Sequence, residues 1–152
     1  MNPNPYLVLS SLSFLAPSVV AYQTKNLDLA ALYMMIWVIS STYHATKDPY
    51  LVYVDYLLAQ VTHGITVYRI LPGGYVTMPY YSCWFMYTFF IYCYGYMNQV
   101  LIWDPDLDKA TPWHMSLHVS VGLMGSYTFY INSHVSTSRA LNKTPFLMVR
   151  EP

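Results

Sequence analysis

Five side chains carry the chemistry this sequence is capable of: Ser40, His44, Asp55, His114 and His118. Ser40 and His44 stand at i and i+4, as do His114 and His118, so on a helix each pair shares a face one turn apart. Neutral imidazoles are good zinc ligands, and a catalytic zinc keeps a fourth position for water beside three protein ligands. His44, His114 and His118 supply three such nitrogens. Asp55 is suited to orient or deprotonate that water, which a bound metal acidifies toward neutral pH. Ser40 can hydrogen-bond a ligand histidine or an oxyanion that develops during reaction. Each feature also has a bland reading. Histidines at i, i+4 arise easily in a chain with five of them, Trp113-His114 suits an interface, and Ser40 can bond back to its own helix.

What positions these residues follows from composition. The chain has 152 residues, 55% hydrophobic and only 9% charged, against about 25% charged in ordinary soluble domains. So little charge cannot make a water-facing surface, and a membrane is the expected solvent. Seventeen tyrosines and four tryptophans suit the lipid–water boundary, where one end of the ring system is wet. Five apolar runs, about 6–22, 27–45, 50–71, 76–103 and 113–131, each approach the roughly 20 residues a bilayer requires. The expected fold is therefore all-α: a polytopic membrane helix bundle of about five transmembrane helices, one domain over 1–152, with a polar tail from 132.

The breaks between runs are legible. Pro17 is expected to kink the first helix, and Gln23-Thr24-Lys25-Asn26 ends it. Asp28 opens the second where a negative charge suits the helix dipole. Lys47-Asp48-Pro49 makes a tight turn, and Pro72-Gly73-Gly74 is a strong breaker. The run Asp104 to Lys109 reads as an acidic exposed loop. With antiparallel connections, all five candidate residues fall near one membrane face.

Lys25, Arg69, Arg139, Lys143 and Arg150 fall on one side and only Lys47 and Lys109 on the other, which places the C-terminus inside, toward cytoplasm or matrix, and the N-terminus outside. Met1 to Pro5 lacks the basic region of a signal or transit peptide, so the first segment is expected to be a retained membrane helix. Cys83 and Cys93 would sit about 15 Å apart on a helix, too far for a disulfide. A net charge of zero excludes a nucleic-acid partner of the electrostatic kind. His63 and His134 join no constellation and are read as structural or loop residues.

Ser40-x-x-x-His44, Asp55-Tyr56 ten residues on, and His114-x-x-x-His118 together resemble the CREST superfamily. That group contains alkaline ceramidases, adiponectin receptors, GPI-lipid-remodelling proteins and the myomaker type. The resemblance implies zinc held by His44, His114 and His118, with Ser40 and Asp55 beside the reacting water, and hydrolysis of an amide or ester in a lipid. The stretch Ser40 to Tyr56 looks most like the GPI-lipid-remodelling branch, whose setting is an ER or Golgi membrane. The family usually has seven helices where five are expected here, and losing one hairpin preserves the relative direction of the site-bearing helices. A non-catalytic relic of that fold fits the same residues. The calcium site of alkaline ceramidases has no counterpart, since Glu151 is the only glutamate.

A second pattern, His44 followed after ten residues by Asp55-Tyr56, resembles the small membrane-anchor subunit of succinate dehydrogenase. It implies haem b on His44, a quinone near Asp55 and Tyr56, and a place in the mitochondrial inner membrane. That anchor normally has three helices, and the pattern leaves His114 and His118 without a role. A third reading needs no site: an accessory subunit of a respiratory or other bioenergetic complex, with other membrane subunits as partners.

Overall fold

The computed structural model describes residues 3–70 and 78–142. They form five helices, and no strand occurs among them. Helix α1 runs Pro5–Gln23, α2 Leu27–Thr46 and α3 Leu51–Ile70. Helix α4 covers residues 78–98, and α5 covers Leu107–Asn142. The all-α class expected from the sequence is what the chain adopts. Among the described residues, one helix, Pro5–Gln23, is long and apolar enough by length and composition to cross a membrane. The breaker Pro72-Gly73-Gly74, the start of the fourth apolar run, and Lys143 and Arg150 lie outside the described residues.

Local chemistry sets the helix ends. Asn4 caps α1, its side-chain oxygen accepting from the backbone N–H groups of Tyr6 and Leu7 at 3.1 and 3.3 Å, and Pro5 occupies the first helical position, where its missing N–H costs nothing. Pro17 does not break α1. It lacks the donor that would serve the Ser13 carbonyl, and the helix answers with a short 3-10 turn over Leu12–Phe14 one turn earlier. Helix α2 ends on Lys47 in the left-handed conformation, φ 57°. The Asp48 carboxylate then accepts from Tyr50 N–H at 2.8 Å, an Asx turn that starts α3.

Three boundaries differ from those expected: the end of the fourth helix and both ends of the last, which runs on into the expected polar tail. The run 76–103 is not one helix: a π-helical turn at Phe90–Tyr94 precedes a stop at Gln99, φ 53°, and Leu101–Trp103 forms a separate 3-10 turn. The last helix begins at Leu107, not Trp113, and continues to Asn142. Pro112 lies inside this helix, in its second turn, where it leaves the Asp108 carbonyl without its backbone donor. Asp108 and Lys109 therefore belong to the first turn of α5, while Asp104 and Asp106 stay in the loop.

Helix α1 lies between α2 and α5, and α3 packs on the far side of α2. The core is built from Phe14 and Ala21 of α1, Leu29, Tyr33 and Ile36 of α2, and Phe129 of α5, with the Tyr33 and Phe129 rings edge to face at 5.8 Å. Close approach of α5 to α1 depends on two glycines. A Cβ on Gly122 would meet the Ser13 carbonyl oxygen at 2.5 Å, and one on Gly125 would meet Pro17 at 2.9 Å.

Long-range polar contacts fix which ends adjoin. Asn4 N–H donates to the His44 carbonyl at 3.1 Å, and the Asn4 amide donates to Thr111 Oγ1 at 2.8 Å. The start of α1, the end of α2 and the start of α5 thus meet at one end of the bundle. At the other end Arg69 of α3 pairs with Asp28 of α2. Helix α4 stands apart, with no buried residue over Met78–Phe89. That loose side leaves a cavity between α4 and the other helices.

Candidate metal centre

Three imidazoles converge at the Asn4 end of the bundle. One ligand nitrogen from each of His44, His114 and His118 lies within 4.8 Å of the others. The ring centroids are 4.9 Å apart for His44–His114, 5.3 Å for His44–His118 and 4.8 Å for His114–His118. His114 and His118 come from one face of α5 by their i, i+4 spacing. His44 comes from the last turn of α2, which the Asn4 contact to its carbonyl holds in place. His44 is fully buried and His118 is 6% exposed.

Hydrogen bonding around the cluster fits metal ligation. Ser10 Oγ donates to the Leu7 carbonyl at 3.0 Å, so it accepts from His118 Nδ1–H, 2.8 Å away. With its proton held on Nδ1, His118 offers the Nε2 lone pair, the arrangement metal-bound histidines ordinarily show. Ser13 Oγ donates to the His118 carbonyl at 2.7 Å. His44 Nε2 is buried with no hydrogen-bond partner among the described residues, an expensive arrangement for a polar atom unless something else satisfies it. The residues present therefore fit a three-histidine metal site.

Among the described residues, Lys47 is the cation beside this cluster. Its ammonium donates to His44 Nδ1 at 3.4 Å and sits 5.1 Å over the Tyr43 ring. Burial pushes this ammonium below its ordinary range.

The other candidates face a cavity of about 660 Å³, within the range of small-molecule sites. Ser40, Asp55, Tyr56, His114 and His118 all line it. Ser40 is 1% exposed and shares the cavity wall with Asp55. Ser11 Oγ lies 3.3 Å from Ser40 Oγ, linking the α1 serines to the α2–α3 pair. His44 does not reach the cavity surface and sits behind His114 and His118. From this end the cavity follows the helices as far as Tyr33, Thr66 and Thr128, about 21 Å of axis along α5. Its far wall is aromatic: Trp84, Phe85, Phe89 and Tyr92 of α4.

The sequence reading brought His44, His114 and His118 together, with Ser40 and Asp55 at the same end, and the structure places them so. It missed the contribution of α1. Asn4, Ser10, Ser11 and Ser13 buttress the histidines, and their signal was three serines inside an otherwise apolar run. The sequence marks Lys47 as a turn residue and as part of the charge bias, not as a neighbour of the histidines. His63, read as structural, lines the cavity against Tyr81 and Trp84. His134 lies on the Tyr130 ring at 4.4 Å.

Comparison of the chain with protein-family profiles, with curated protein sequences and with solved structures gives no match.

Proposed function

We propose that this chain is an intramembrane, metal-dependent hydrolase acting on an amide or ester bond of a lipid. The observation that carries this reading is the juxtaposition of three imidazoles, two buried and one half-buried, with ligand nitrogens within 4.8 Å of one another, with Ser40 and Asp55 on the wall of the same largely apolar cavity.

The bilayer part rests on where the polar and apolar groups lie. Ser10, Ser11, Ser40, His44, Thr62 and Thr128 are buried, while Leu9, Leu12, Met35, Leu57, Met86 and Phe89 are among many large apolar side chains left exposed. A water-soluble monomer rarely exposes so much contiguous apolar surface. Hydropathy understates the apolar character of α2 to α5 because tyrosine counts as polar although its ring is apolar.

His44, His114 and His118 would hold the metal, and zinc suits an all-imidazole set. Zinc so held supplies a Lewis acid and lowers the pKa of water toward neutrality. The chain's own residues do the rest. Asp55 accepts the proton of the attacking water and returns it to the leaving amine or alcohol. The Ser40 hydroxyl, on the same cavity wall as Asp55, donates a hydrogen bond to the oxyanion as it develops. Ser10 keeps the His118 proton on Nδ1. The aromatic wall of α4 takes the acyl chain and excludes water from the reacting bond.

The haem-anchor reading draws less support, because His44 is enclosed by the rings of Tyr43, His114 and His118 and has no face on the cavity. The test is turnover of the purified chain in mixed micelles against a panel of long-chain lipid amides and esters. Zinc-dependent hydrolysis that disappears in His114→Ala is expected. Full activity in that variant would end the hydrolase reading.

A further inference from the structure

The cavity carries a second set of polar groups that the histidine centre does not use. On α3, Thr62 is 1% exposed, and its hydroxyl has no partner among the described residues. That is unusual, since a helical threonine ordinarily bonds back to the preceding turn, as Thr66 does to the Thr62 carbonyl at 2.8 Å. On α4, the Trp84 indole N–H is likewise buried without a partner. The Trp84 ring lies 4.7 Å from the His63 ring, and the Tyr81 hydroxyl spans the edge of that imidazole, 2.8 Å from Nε2 and 3.1 Å from Nδ1. Thr62, His63, Tyr81 and Trp84 all line the cavity. They front a space lined mainly by apolar side chains, with Gln60, Thr66, Thr88 and Thr128 also on its wall, and an unpaired donor there is costly.

We propose that Thr62, His63, Tyr81 and Trp84 form a second, metal-free subsite that accepts a carbonyl or hydroxyl oxygen carried within the chain of an acyl lipid. The inference rests on the lipid reading of the cavity but not on metal or turnover. Trp84 N–H and the Thr62 hydroxyl are the donors; both atoms are covered by neighbouring groups, so the two side chains turn toward the occupant as it binds. The His63–Tyr81 pair fixes the Trp84 face of the site. Thr62 stands about 10 Å along α3 from Asp55, so the occupant has two polar groups separated by that length of hydrocarbon. A plain saturated chain would leave both donors unpaired. A chain with an oxygen at that depth satisfies them, and the cavity thereby selects for it.

The test is binding, measured by titration calorimetry on the full chain in detergent micelles after chelation. Two probes are compared: a saturated long-chain fatty acid, and a keto acid of equal length whose carbonyl lies about 10 Å from its carboxylate. The wild type should bind the keto acid about five- to tenfold more tightly, the fold-change of one net hydrogen bond. Trp84→Phe and Thr62→Val, which keep ring and volume, should each reduce that preference while leaving the saturated acid unaffected. Equal affinities in the wild type, or no binding of either acid, would overturn the subsite whatever the variants do. A decyl benzoquinone that binds in a Trp84-dependent way while the keto acid does not would overturn its assignment to acyl lipids. Loss of hydrolysis with the preference intact would count against the catalytic reading alone.

Discussion

Ser10 Oγ and His118 Nδ1 lie 2.8 Å apart although the residues stand 108 positions apart in the chain. The first helix, which contributes no histidine to the cluster, therefore orients a histidine on the last. Ser10→Ala should weaken zinc binding about 10- to 100-fold, the usual effect of losing such a partner. Ser11 Oγ, 3.5 Å from the same nitrogen, takes over part of the role, so the double replacement should cost more than the single one. Competition against a chelator of known affinity measures both, and unchanged affinity in the double variant would remove Ser10 from the account.

Asp55 and the histidines should separate cleanly. Asp55→Asn is predicted to keep the metal and to lower turnover by about 10²- to 10⁴-fold, the range for a lost general base. His118→Ala should lose both together. Metal content and rate measured on the same preparations decide this, and full turnover in Asp55→Asn would show that the proton goes elsewhere.

Lys47 opposes a bound dication. Its ammonium donates to His44 Nδ1, which puts the imidazole proton on Nε2, the position a metal would need. Metal entry must displace that proton and face a nearby positive charge. Lys47→Met is expected to raise zinc affinity on the order of tenfold, about 1.4 kcal/mol. Because protons compete for all three ligand nitrogens, affinity in either protein should fall as pH is lowered. Weaker binding in Lys47→Met would mean that the lysine holds His44 in place rather than blocking it.

Two glycines on different helices should respond in opposite directions. Gly122→Ala puts a methyl 2.5 Å from the Ser13 carbonyl oxygen, which is backbone and cannot rotate aside. The overpacking cost of about 1–3 kcal/mol outweighs the helix-propensity gain of about 1 kcal/mol. Gly64 has nothing within 4 Å of such a methyl, so Gly64→Ala should stabilise or be neutral. Thermal melts in one detergent compare them, and equal shifts would contradict the packing described for α1 and α5.

The helices were legible because apolar runs and their breakers are local signals. The end of α2 and the start of α3 could be read from Lys47-Asp48-Pro49, where proline and an Asx turn act within a few residues. The ends of α4 and α5 could not. Gln99 stops its helix in a left-handed conformation that sequence marks weakly when the residue is not glycine, and Pro112 reads as a breaker although α5 continues through it. The histidines were recognisable from i, i+4 spacing and the antiparallel order of the segments. Asn4, Ser10 and Ser11 were not, because serine in an apolar helix ordinarily bonds its own backbone, and only the tertiary contact of α1 with α5 makes Ser10 a partner of His118. Thr62 and Trp84 escaped notice for a similar reason. Nothing local tells which side chains remain unpaired.

The central claim is that His44, His114 and His118 hold one metal ion. The most direct measurement is elemental analysis of the detergent-purified chain for zinc and iron, beside His44→Ala, His114→Ala and His118→Ala. The account predicts about one zinc per chain, lost in each variant, as expected when a three-ligand site is reduced to two. Zinc unaffected by the replacements, or iron without zinc, would contradict it.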